Sequence, residues 1–170
     1  YLEFGLGCQL KIEDFNVTID ENALVLAGNG YIMTKDDATT GGIVNRVVGS
    51  SLQLFPVGNE TYTPIYIKSN SGTKAFQVRT FDKVYENGNS GNLVGNLDET
   101  INQTWKIEGN GAVDINVQTW WNESDEGANF NRNSASIFFN NGNFWTGQTS
   151  TALSGNNPYS INGNNITETG

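Results

Sequence analysis

An antiparallel β-sandwich, of immunoglobulin-like or jelly-roll-like type, is the fold that this sequence predicts. Three observations predict it. Helical periodicity is almost absent, and apolar residues instead alternate with polar ones in short segments that recur about every 8 to 15 residues. The breaks between those segments are rich in Asn, Gly, Thr and Ser, the residues that tight turns favour. Asn-Gly, the dipeptide best suited to hairpin turns, recurs along the chain, and its occurrences at Asn87, Asn110, Asn141 and Asn162 are read as turn signals. At 170 residues the chain is the size of one domain able to bury its own core.

Taken in order, the expected strands are Leu10 to Ile19, Ala23 to Thr34, Ile43 to Leu54, Thr63 to Lys68, Ala75 to Phe81, Gln103 to Glu108, Val113 to Trp120, Ser134 to Asn140, Asn143 to Thr146 and Tyr159 to Ile166. In the first fifty residues, apolar pulses are separated by Asp-Glu-Asn, Gly-Asn-Gly and Thr-Thr-Gly-Gly. They fit a meander of the same sandwich, the form expected, or a short β-helical N-terminal section stacked against it. Strict alternation places Ile65 and Ile67 inward and Tyr66 and Lys68 outward. It likewise places Val113, Ile115 and Val117 inward and Asp114, Asn116 and Gln118 outward. Asn110-Gly111 predicts a hairpin between the segment ending at Glu108 and the one starting at Val113. Asn141-Gly142 predicts another between Ile137-Phe138-Phe139 and Phe144-Trp145. Asn87 to Asp98 and Gln148 to Pro158 read as surface loops.

Composition narrows the function. The formal net charge is −9, and the nine Lys and Arg are dispersed, whereas a nucleic-acid partner calls for a basic stripe to displace counterions. An anionic membrane surface is disfavoured for the same reason. No apolar run approaches the roughly 18 to 20 residues of a spanning helix, so membrane insertion is not expected. The chain holds no His and one Cys, which leaves no Ser-His-Asp triad, Cys-His dyad or Cys/His zinc site. Cys8, in Phe4-Gly5-Leu6-Gly7-Cys8, is expected to be a small buried side chain. Beginning at Tyr1 without an initiator Met, the chain reads as a processed or excised segment.

No residue set predicts catalysis. Glycoside hydrolysis needs two converging carboxylates, but Glu123, Asp125 and Glu126 crowd one turn, where neighbours point apart. Asp36, Asp37, Asp82, Asp98 and Glu99 lack the alternating spacing of a calcium loop, so neither metal nor cofactor is expected. Trp105, Trp120, Trp121 and Trp145 could stack on sugars. In Trp120-Trp121 the rings must face opposite ways if the segment is extended. Trp105, between polar Thr104 and Lys106, is assigned to the core. The candidate ligand or assembly surface is therefore Trp120, Trp121 and Trp145 with the loop tyrosines Tyr85 and Tyr159.

One ordered series of motifs is more specific than composition. Tyr31-Ile32-Met33-Thr34 is followed by Leu54-Phe55-Pro56-Val57-Gly58 and Tyr62-Thr63-Pro64. Then come Phe76-Gln77-Val78-Arg79, Asn102-Gln103-Thr104-Trp105-Lys106-Ile107 and Glu126-Gly127-Ala128-Asn129-Phe130-Asn131-Arg132. Over about residues 12 to 169 the series resembles a β-rich module of large secreted surface or adhesin-like proteins of the Bacteroidota, exported by type IX secretion. The resemblance implies an extracellular, non-catalytic structural or adhesive role, as a repeat unit or self-assembling subunit of a surface fibre. Its partners would be other copies or neighbouring domains, with glycan binding as the alternative. The look-alike modules continue past the last residues seen here with one more strand, so a groove for a neighbour's segment is expected. The stretch Tyr1 to Leu10, with Leu2, Phe4, Leu6 and Leu10 apolar, is expected to be an unattached strand-pairing segment. Pro56 and Gly58 are expected to end the strand before them and turn a corner.

Overall fold

The computed structural model describes residues 1–26, 28–148, 150 and 153–167. It is all-β, with several packed sheets and no closed barrel. Among the described residues no helix is long and apolar enough to cross a membrane.

The first fifty residues take the β-helical form and not the meander. A first coil comprises β1 (Leu2–Glu3), β2 (Gln9–Glu13) and β3 (Val17–Ile19), and a second comprises β4 (Val25–Leu26), β5 (Tyr31–Thr34) and β6 (Val44–Val48). Each strand stacks in parallel on its counterpart: Leu2 opposite Val25, Gln9 opposite Tyr31, Val17 opposite Val44. The reason lies in the breaks. They turn the chain without reversing it, so equivalent segments return one coil later with the same direction. β7 (Gln53–Phe55) leaves the stack, and β8 (Val57–Gly58) returns to it, pairing in parallel with β5.

The remaining strands are β9 (Ile65–Ser69), β10 (Lys74–Asp82), β11 (Gln103–Gly109), β12 (Ile115–Trp121), β13 (Ile137–Asn140), β14 (Trp145–Gln148), β15 (Ser154–Gly155) and β16 (Tyr159–Ile166). One layer has the order β11-β10-β6-β3 and the other β15-β16-β12-β9-β7. Their facing side chains form one core: Val44, Val48, Phe76 and Val78 from the first, and Phe55, Ile65, Ile67, Ile115 and Val117 from the second. Burying each such side chain contributes about 1.5–3 kcal/mol relative to exposure. The alternation expected for Ile65 to Lys68 and for Val113 to Gln118 holds in the burial pattern. β6 is shared: it stacks in parallel on β3 and pairs antiparallel with β10.

Three expectations are corrected. β11 and β12 do not form a hairpin across Asn110-Gly111: β11 pairs with β10, and β12 pairs with β9 and β16. With Gly111 at φ +79°, the dipeptide turns a corner from one layer to the other. Its local geometry suits both roles, and burial on opposite layers decides. Tyr1 to Leu10 is not unattached, since Leu2 N–H donates to Leu24 O and Phe4 N–H to Leu26 O at 2.9 and 3.1 Å. Cys8 is exposed, because its backbone closes the turn between β1 and β2 and leaves its side chain outside.

The Asn141-Gly142 hairpin forms as expected, pairing Asn140 with Trp145. Asn162-Gly163 lies inside β16, where a Cβ at Gly163 would stand 3.0 Å from Ile137 and 3.4 Å from Val117, so that a larger residue would need those side chains to give way. The Asn87–Asp98 loop is largely exposed. The loop expected at Gln148 to Pro158 lies partly outside the described residues, as do the last three residues of the chain.

Candidate functional site

The motif series assembles a joint between coil and sandwich. β7 ends at Phe55, the next carbonyl, that of Pro56, accepts from Ile32 N–H at 2.7 Å, and β8 then lies along β5. Gly58 passes under the Tyr31 ring so closely that a Cβ would overlap both that ring and Thr61 O. Tyr31 stacks on Tyr62, with centroids 5.8 Å apart. Its hydroxyl accepts from Gln9 Nε2 at 2.8 Å and reaches the carbonyls of Asn59 and Glu60. Burial is the first cause that pushes the Tyr31 hydroxyl above its usual pKa. Across the joint, Thr34 Oγ1 donates to Thr80 O at 2.7 Å and accepts from Thr80 N–H at 3.1 Å, tying β5 to β10. Arg46 is buried and donates to Ala23 O and Leu54 O, at 2.6 and 2.8 Å. Desolvation holds its pKa below the ordinary arginine value.

The carboxylates of the 122–126 turn are engaged in structure. Asp125 accepts from Thr61 Oγ1 at 2.9 Å and from Asn122 N–H at 2.8 Å. Glu126 accepts from Trp121 Nε1 at 3.0 Å and from Arg132 Nε at 2.8 Å. Glu123 pairs with Arg132 at 2.6 Å. The Arg132 guanidinium lies over the Tyr159 ring, 4.2 Å from its centroid, and Phe130 meets Trp121 edge-on. Hydrogen bonds to Glu126 and then Glu123 hold the Arg132 pKa above its ordinary value. The Glu126-to-Arg132 motif is thus a clamp that closes one end of the sandwich. Asp36 caps Asp82 N–H, and Asp98 accepts from Asn129. Among the described residues no three His, Cys, Asp or Glu side chains are grouped to hold a metal ion.

The five aromatic candidates fall in three places. Trp121 is buried on the inner layer face with Tyr159, centroids 6.0 Å apart. Trp120 is half-buried on the opposite face of β12, beside Tyr66. Trp145 joins the β13–β14 hairpin to the loop at Tyr85, its Nε1 donating to Tyr85 O at 2.8 Å, while the Tyr85 ring approaches Phe81. Trp105 packs against the core, and its Nε1 donates to Thr63 O at 2.8 Å. Of the segment Leu2, Phe4, Leu6 and Leu10, the first two are half-buried against the core, Leu6 projects from the turn and Leu10 lies on β2.

The arrangement that stands out is the outer end of the coil stack. Among the described residues β1, β2 and β3 have no partner on the side away from the second coil. Along the ladder Leu10–Ile32–Val57, exposure falls from 43% to 0% and 0%. Tyr1, Leu6 and Phe15 are also exposed on the first coil. Sequence reasoning found the apolar residues there and held the stacked coils only as the alternative to a meander, because parallel coils leave no hairpin signature. No protein-family model matches the chain, and no curated protein or solved structure matches it either.

Proposed function

We propose that the protein is a non-catalytic extracellular module that works by β-edge association, as a unit of a bacterial surface fibre or adhesin whose partners are other copies or neighbouring domains. The observation that carries this reading is the burial gradient along Leu10, Ile32 and Val57. The same interior position is covered in the second and third layers and open in the first. An open parallel edge offers unpaired N–H and C=O groups in register, and stacked coils need a cap or a neighbour at each end. Support also comes from the motif residues, which hold joints and clamps together, and from the acidic turn, whose carboxylates are bound by structural donors. The resemblance to Bacteroidota surface modules supports the extracellular placement. Splitting the aromatic residues among three places leaves the glycan-binding reading without a shared platform.

Sedimentation velocity over a range of concentrations tests the proposal. Concentration-dependent association is expected, and Leu10→Lys with Phe15→Ser should weaken it while leaving the melting temperature close to that of the parent. A particle that stays monomeric at the highest concentrations would count against it.

A further inference from the structure

A second open edge exists on the sandwich. β11 ends its layer, with β10 on one side and, among the described residues, no strand on the other. The parity of its hydrogen bonds follows from its ends: Asn110 N–H donates to Ala75 O and Lys83 N–H to Asn102 O. With Lys106 opposite Arg79 and Glu108 opposite Gln77, residues 104, 106 and 108 bond to β10. The N–H and C=O groups of Gln103, Trp105, Ile107 and Gly109 therefore point away from it.

That edge borders a cavity of about 820 Å³. Residues 103–107 line it without a break, and so do residues 134–140, which include β13. Side chains alternate across a strand, so an unbroken run places the backbone edge itself at the opening. β13 pairs only with β14 among the described residues. The cavity is therefore a slot between two strand edges. Trp105 and Ile107 line one wall, Ile137 and Phe139 the other, and Trp121 and Ile161 the floor. The indole N–H groups of Trp105 and Trp121 are bonded elsewhere, so their rings present apolar surface. Phe138 stands 58% exposed at the rim.

We propose that this slot accepts an extended peptide segment with apolar side chains at alternate positions, which pairs with β11 and lowers those side chains onto the floor between the layers. Backbone pairing supplies affinity in such additions, and pockets for alternate residues supply specificity. The seven residues of β11, at about 3.3 Å each, span roughly 23 Å, so the segment is about seven residues long. From the opposite layer Thr119 adds a hydroxyl among apolar side chains, fewer polar groups than a sugar needs, and a small apolar molecule would leave both edges unpaired. This goes beyond the coil-edge reading and does not rest on it.

The test uses the whole chain and a fluorescein-labelled heptapeptide alternating threonine with valine and phenylalanine. Saturable binding by anisotropy is expected, with slowed amide exchange at Trp105 and Ile107. N-methylation of the peptide amides that face β11 should weaken binding at least about tenfold, the equivalent of 1.4 kcal/mol. Ala135→Trp, which fills the slot from a loop position, should do the same. If that variant does not fold, the methylated peptide decides alone. Absence of saturable binding, equal binding of the methylated peptide, or slowed exchange confined to β2 would overturn the proposal.

Discussion

Asp37 shows how one side chain holds a surface loop over a buried cation. Its Oδ1 accepts from Thr39 N–H, Thr39 Oγ1 and Thr40 N–H, each at 2.8 Å. Thr40 O in turn accepts from Arg79 Nη1, and Arg79 is buried beside Phe81. Backbone hydrogen bonds from Thr40 and then Thr39 hold the Asp37 carboxyl well below the usual aspartate range. A depressed carboxylate pKa stabilises the fold above the unfolded value of about 3.9, and that contribution fades as the pH falls below it. Asp37→Asn should therefore be less stable than the parent near pH 6. Urea denaturation should show the gap shrinking as the pH falls towards about 3.

Among the elements, the two-residue strand β8 carries more of the joint than its length suggests, because Gly58 lets it slide beneath Tyr31. Gly58→Ala forces the ring or the Thr61 carbonyl to move and should cost about 1–3 kcal/mol, the usual range for overpacking, read as a lowered midpoint in thermal denaturation. The corner at Pro56–Gly58 was legible beforehand, since proline ends a ladder whatever its surroundings. Most strands were legible too: the alternation at Ile65 to Lys68 and at Val113 to Gln118 reports burial on one face directly. Pairing partners were not. Asn110-Gly111 suits a hairpin and an inter-layer corner equally, and only the distant strands β9 and β16, which claim both edges of β12, separate the two. The same misreading hid the open edge of β11, because a hairpin would have covered it with β12.

For the molecule as a whole, Thr34–Thr80, Arg46 and β8 bind the coil stack to the sandwich, so both should unfold together. All four tryptophans lie in the sandwich half, whereas Cys8 lies on the first coil and is exposed. Tryptophan emission and an environment-sensitive dye on Cys8 should therefore give coincident urea transitions; two separated midpoints would show that the joint is weaker than its hydrogen bonds suggest. The sandwich class could be read from residue alternation, which is a local property. For the first fifty residues alternation left stacked coils as the alternative to a meander, because Leu10, Ile32 and Val57 are far apart in the chain and nothing local marks them as one column.

The dual membership of β6 bears on how such a protein can be divided or recombined. A break between β3 and β6 takes from β3 its one neighbour in that layer, and a break after β6 strips β10 of a flank, so neither half would keep a closed core. Protease nicking, gene fusion and domain grafting therefore have no neutral site at the join between Thr34 and Val44. A designer seeking to transplant the sandwich must carry the second coil with it.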